Sequence, residues 1–135
     1  AFYETRVTTG AVVHLHSTHS VALSMLPDTD PDNVLPPLTP YAVMKLGKVQ
    51  LLPFFMPGDA AMGESVRGLA GKRSAVLLAN HGPVVAGKDL AAAVYAMEEL
   101  EETAKLVLIT RGMGAIGLDE NQVKQVVDRF NIDYD

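Results

Sequence analysis

The segment at residues 74–79, with the sequence SAVLLA, constrains the fold more than any other part of the chain. Its apolar side chains run on without the alternation of a half-exposed strand, which is typical of a strand covered on both faces. The segment leads directly into Asn80, His81 and Gly82. Functional residues are common at such points, where a strand passes into a loop.

Strand and helix patterns alternate along the rest of the chain. Strands are predicted at residues 11–16, 49–55, 74–79 and 83–86. Helices are predicted at residues 17–26, 59–71, 89–111 and 119–130, with one or two helical turns at 41–46. This alternation indicates a layered α/β fold. A chain of 135 residues, 48% of them hydrophobic, is large enough to form a single compact domain over residues 1–135.

Composition narrows the classes of function. The formal net charge of −5 gives no broad positive field, so a nucleic-acid partner is not expected. No apolar run approaches the roughly 20 residues of a membrane span, and we expect a cytoplasmic protein without a membrane partner. The chain has no cysteine, which leaves imidazole and carboxylate as its metal ligands. Because it opens without methionine in a helix-like segment, we also expect that the amino-terminal part of the domain is absent.

Histidine clustering is the strongest functional signal. Three of the four histidines, His14, His16 and His19, lie within six residues, and the fourth is His81. Side chains two apart on a strand project from the same face, so His14 and His16 can present two imidazoles to one point. With His81 they would supply three nitrogens and leave a position open, as at a catalytic zinc. Taken alone, His81 also fits the alternative of a hydrogen-bonded core histidine.

Two separated segments carry a resemblance to a known family. Residues 11–17 (AVVHLHS) followed by residues 79–82 (ANHG) resemble the metal-site pattern of the class II aldolase/adducin family, which includes fuculose-phosphate aldolase and ribulose-phosphate 4-epimerase. The resemblance implies a three-layer αβα sandwich and a homotetramer. It also implies that His14, His16 and His81 bind Zn²⁺, or another divalent metal such as Mn²⁺ or Co²⁺. His19 matches no ligand and is interpreted as a supporting or structural residue.

A softer resemblance concerns the reaction. Residues 35–41 (LPPLTPY) and 53–59 (PFFMPGD) are similar to the 3-oxo-tetronate 4-phosphate decarboxylase branch of the family. This implies a lyase that converts a small phosphorylated sugar acid to dihydroxyacetone phosphate and CO2 through a metal-stabilised enediolate. A sugar-phosphate aldolase or 4-epimerase would use the same stabilised species, so the metal site does not choose among these reactions. A non-catalytic, adducin-like interaction module is the third alternative.

Several other residues have expected roles. By resemblance Tyr41 is a candidate proton donor, sometimes across a subunit boundary, although a tyrosine there can also simply pack its ring. Asn80 is expected to orient the loop through its amide, and Gly82 to allow close backbone approach or a positive φ. Glu101 is expected on a solvated helix face, spaced for an i,i+4 pair with Lys105. The apolar segment 54–56 fits either subunit contacts or the core.

Overall fold

A computed structural model describes residues 1–135 as six helices and one four-stranded sheet. The strands are β1 (Ala11–His14), β2 (Gln50–Leu52), β3 (Ala75–Leu78) and β4 (Gly82–Gly87). The helices are α1 (Phe2–Thr5), α2 (Thr18–Ser24), α3 (Pro40–Leu46), α4 (Ala60–Ala70), α5 (Leu90–Thr110) and α6 (Glu120–Phe130). None of the helices is both long enough and apolar enough to cross a membrane.

The sheet is mixed, with the strand order β1-β4-β3-β2. Strand β4 is antiparallel to both β1 and β3, and β2 runs parallel to β3. Strand β1 therefore ends at the same edge of the sheet at which β3 ends and β4 begins. This edge collects the segments that carry the histidines.

Buried side chains divide into two clusters, one on each face of the sheet. On one face Ala75 and Leu77 of β3 pack in a cluster with side chains of α2, α3 and α5. On the other face Val76 and Leu78 pack in a cluster with side chains of α1 and α4. All four side chains of β3 are buried, as its unbroken apolar pattern predicts. The predicted three-layer αβα architecture is confirmed.

The ends of the elements follow local chemistry. The side chains of Asp59, Asp89 and Asp119 accept backbone N–H bonds in the first turns of α4, α5 and α6, so these helices begin where the sequence predicts. Three strands are shorter than predicted: β3 lacks one residue at each end, and β1 and β2 lack more. Strand β1 ends at His14 rather than at residue 16, and β2 ends at Leu52, directly before Pro53, which lacks the N–H that a further ladder bond needs.

Candidate metal centre

The three histidines of the predicted ligand set meet at one edge of the sheet. His14 is the last residue of β1, His16 lies two residues beyond it, and His81 lies in the turn between β3 and β4. Their nearest ring nitrogens all lie within 4.8 Å of one another. The ring centroids are separated by 5.2 Å, 4.8 Å and 5.0 Å for the pairs 14–16, 14–81 and 16–81.

The spacing of these nitrogens suits a divalent cation. The Nε2 atoms of His14 and His81 are 3.2 Å apart. Two imidazoles bound to one tetrahedral zinc at 2.0–2.1 Å place their nitrogens roughly 3.3 Å from each other, so this pair already has the separation that a shared ion requires. The group of potential ligands contains no fourth histidine or carboxylate. The arrangement could hold a metal with a coordination position free.

A backbone hydrogen bond fixes the tautomer of His14. Its Nδ1 lies 2.9 Å from the carbonyl oxygen of Pro83. A carbonyl oxygen only accepts, so Nδ1 must carry the proton and donate it. In neutral His14 the lone pair therefore lies on Nε2, the atom that faces His81. Metal-binding histidines commonly use their second nitrogen in this way, which orients the ring and raises its basicity.

His81 is partly buried, in contrast to the exposed His14 and His16. Burial lowers the pKa of His81 below its ordinary value of 6.5, and the nearby charges of His14 and His16 lower it further. Both effects favour the neutral imidazole, which is the form that binds a metal.

The turn that carries His81 depends on two unusual backbone conformations. Asn80 has a left-handed backbone with φ of 58°, and its N–H donates to the Ser24 hydroxyl at 3.0 Å. Gly82 has φ of 152°, and a Cβ at this position would lie 2.1 Å from the carbonyl oxygen of Leu15. The predicted close approach at Gly82 is therefore present. The contact found for Asn80 involves its backbone, whereas its amide was predicted to hold the loop.

The interpretation of Glu101 as a solvated residue paired with Lys105 is wrong. Its carboxylate accepts four hydrogen bonds, from the backbone N–H and Nδ1 of His19 and from the backbone N–H and hydroxyl of Ser20, at 2.8–3.1 Å. Burial acts to raise the pKa of Glu101, but these bonds outweigh it and leave the pKa below the ordinary value of 4.5. Glu101 thus ties the first turn of α2, just after His16, to α5.

An open cleft of about 630 Å³ adjoins the histidines. Polar groups of His16, Thr18, Asn80 and His81 line one part of it. The remaining wall is apolar and consists of Val21, Ala22, Met25, Phe54 and Pro57. Tyr41 does not line this cleft; it lies on α3 with 58% of its surface exposed. The structure therefore brings together every predicted site residue except His19, which pairs with Glu101, and Tyr41.

This combination of fold and site is found in a known family. The profile of the Class II Aldolase and Adducin N-terminal domain matches residues 1–108. The chain belongs to this family.

Particular relatives narrow the comparison. The chain is 57% identical over 99 residues to a 3-oxo-tetronate 4-phosphate decarboxylase of Pectobacterium atrosepticum, a match that covers 73% of this chain and 45% of the relative. It is 33% identical over 112 residues to an L-fuculose phosphate aldolase of Methanococcus maripaludis, covering 83% and 58% respectively. The crystal structure of YgbL from Escherichia coli superimposes with a TM-score of 0.90 at 46% identity, over 93% of this chain and 60% of that one. The chain thus spans about half the length of the curated relatives it matches.

Proposed function

We propose that His14, His16 and His81 bind one divalent metal, Zn²⁺ in the first instance, with Mn²⁺ or Co²⁺ as the alternatives. The proposal is carried by the 3.2 Å separation of the two Nε2 atoms and by the bond from His14 to Pro83, which leaves its Nε2 free to act as a ligand. Three neutral nitrogens and no protein carboxylate would leave the ion its full charge and a position for substrate. When bound, such an ion supplies a Lewis acid for a ketone oxygen of the substrate.

We propose further that the protein containing this chain decarboxylates 3-oxo-tetronate 4-phosphate. In that reaction the bond between C1 and C2 breaks, CO2 leaves, and the electron pair left at C2 is delocalised toward the C3 ketone. A proton then adds to C2 and gives dihydroxyacetone phosphate. The 57% identity to a decarboxylase of this name supports the choice of substrate.

The cleft beside the histidines fits a step that removes charge. Met25 and Phe54 contribute to its apolar wall, next to His16 and His81. A carboxylate placed against such a wall is poorly solvated, whereas CO2 is neutral, so leaving as CO2 relieves an unfavourable contact. Thr18 and Asn80 add polar groups that can orient the hydroxyl groups of a sugar acid.

Tyr41 remains a candidate proton donor to C2 only across a subunit boundary, because it lies outside the cleft of its own chain. This role rests on the proposed homotetramer. The exposed side chains of Phe54, in the cleft wall, and Met56, two residues further along the chain, support a subunit contact there. We also propose a cytoplasmic location, which fits a chain without cysteine.

Metal content tests the first part of the proposal. Elemental analysis of the intact protein should give about one divalent ion per chain, and the His14→Ala/His81→Ala double variant should have lost it. His19→Gln is the matched control, because His19 is the one histidine outside the cluster, and it should keep the metal. Loss of metal from His19→Gln alone, or its retention in the double variant, would refute the assignment.

The second part is tested by the product. With 3-oxo-tetronate 4-phosphate, the metal-loaded protein should release CO2 and dihydroxyacetone phosphate in equal amounts. The aldolase alternative, supported by the 33% identity to an L-fuculose phosphate aldolase, predicts no CO2 from this compound, which has no hydroxyl group β to its ketone; it predicts instead release of an aldehyde when a ketose phosphate is supplied. An adducin-like module predicts neither product.

A further inference from the structure

A second group of charged and polar side chains lies at the opposite end of the sheet from the histidines. Here β1 begins, β4 ends and β3 begins. Two adjoining clefts at this end contain five basic side chains: Arg6, Lys45, Lys48, Lys72 and Lys88. We call the larger cleft, which contains Arg6, Lys45 and Lys88, the basic cleft.

These five cations form no salt bridges. The arginine and lysine ion pairs of the chain are made by Arg67, Arg111 and Lys124, all of which lie outside the two clefts. The grouping stands out because the chain as a whole carries a net charge of −5. Two acidic residues are nearby: Asp133 lines the smaller cleft, and Asp89 follows Lys88 but is engaged by the N–H of Ala92. Positive charge therefore dominates the basic cleft.

The basic cleft is also concave and rich in hydroxyl groups. Its volume is about 570 Å³, in the range of small-molecule sites. Thr8, Thr9, Ser74 and Tyr95 line it together with the cations. The Thr9 hydroxyl is buried and has no hydrogen-bond partner. The Nζ atom of Lys45 lies 5.7 Å from the centre of the Tyr95 ring, a cation–π contact between two side chains that line the cleft.

We propose that the basic cleft is a second binding site, for a small anion that carries two or more phosphate charges. Cations with three or five N–H donors and neighbouring hydroxyl groups are the usual partners of phosphate oxygens. The site is distinct from the histidine cleft, since strands of four to six residues separate the two ends by roughly 13–20 Å. A ligand could therefore occupy it without contacting the histidines.

Titration with inorganic pyrophosphate, and with inorganic phosphate for comparison, tests the site. The intact protein is titrated in a chelator, so that no metal at the histidines competes for the anion, and binding is followed by calorimetry and by NMR. We expect shifts of the resonances of Lys45, Lys88 and Tyr95. We expect Lys45→Gln/Lys88→Gln to weaken binding by about tenfold or more, since it removes two charge-assisted contacts.

Two further variants keep the test decisive. Lys105→Gln removes an exposed lysine without a salt bridge on α5, outside both clefts, and should leave binding unchanged. Lys45→Arg/Lys88→Arg keeps both charges and should retain binding. Equal weakening in Lys105→Gln, or resonance shifts confined to His16 and Asn80, would overturn the proposal. So would absence of pyrophosphate binding combined with loss of self-association in Lys45→Gln/Lys88→Gln, which would make the cleft a contact between copies of the chain.

Discussion

The two ends of the β1–β4 ladder are built alike but bear different chemistry. At one end Gly82 of β4 lies against the carbonyl oxygen of Leu15, and at the other end Gly10 lies against that of Lys88. In both places a Cβ would lie about 2 Å from that oxygen, at 2.1 Å and 2.0 Å respectively. The first end presents three imidazoles beside an apolar wall, whereas the second presents cations and hydroxyl groups.

This difference shows how one short sheet can keep two kinds of ligand apart. A lysine or arginine close to the histidines would repel a divalent cation. Conversely, a cation bound at the histidines would attract the anionic ligand that we propose for the basic cleft. A separation of several residues along the strands reduces both effects in water. At each end a glycine lies directly against a backbone carbonyl group, so a substitution of that glycine should disturb its own end of the ladder.

Gly82→Ala should produce the largest effect. The added methyl group meets the Leu15 carbonyl, and φ of 152° is unfavourable for alanine. We expect a loss of at least about 3 kcal/mol in the free energy of unfolding. Folded protein should also lose metal, because Leu15 lies between His14 and His16. Urea unfolding and elemental analysis measure the two quantities, and full metal content in a stable Gly82→Ala protein would contradict the close contact.

Gly10→Ala is the matched change at the other end. Its methyl group would meet the Lys88 carbonyl, but Gly10 has no positive φ, so we expect a smaller loss of about 1–3 kcal/mol. The metal content of folded protein should be unchanged, whereas pyrophosphate binding should weaken. Loss of metal in Gly10→Ala would show that the two ends are not independent.

Glu101→Gln tests the support behind the histidine end. The amide group would place an N–H donor where donors from His19 now point, so we expect a loss of about 1–3 kcal/mol. Because the folded pKa of Glu101 lies below its ordinary 4.5, its charged form stabilises the protein above that pH. That stabilisation disappears as pH falls through the folded pKa, so wild type and Glu101→Gln should converge in acid. Glu102→Gln removes an exposed carboxyl on the same helix and is the matched control, with an expected change of less than about 0.5 kcal/mol in the free energy of unfolding.

The sequence was sufficient to predict the features that depend on local pattern. The unbroken apolar run of β3, the aspartate caps of α4, α5 and α6, and the spacing of His14 and His16 each involve neighbours in sequence. Strand β1 ends at His14, so His16 lies beyond it. The ring centroid of His16 is nevertheless 5.2 Å from that of His14. The rings of His14 and His16 are therefore close together, as their spacing predicts, although the predicted end of strand β1 is wrong.

The features that the sequence did not predict depend on distant partners. Glu101 and His19 are 82 residues apart, and Lys105 at i+4 offers Glu101 a more obvious local partner. The five basic side chains of the basic cleft and of the smaller cleft beside it come from separate segments between Arg6 and Lys88. None of these segments is a basic run. Such groupings arise only when the sheet brings the ends of several strands together. Nothing in the sequence around Glu101 indicates that its carboxylate accepts hydrogen bonds from His19 and Ser20.

Tyr41→Phe should have the smallest effect on the folded chain. The ring is 58% exposed, so removal of the hydroxyl should change the free energy of unfolding by less than about 0.5 kcal/mol. Metal content should also be unchanged, because Tyr41 does not line the histidine cleft. The informative measurement is kcat for CO2 release by the assembled protein. A fall of about a hundredfold at constant stability would identify Tyr41 as a proton donor across a subunit boundary, whereas an unchanged kcat would rule out that role.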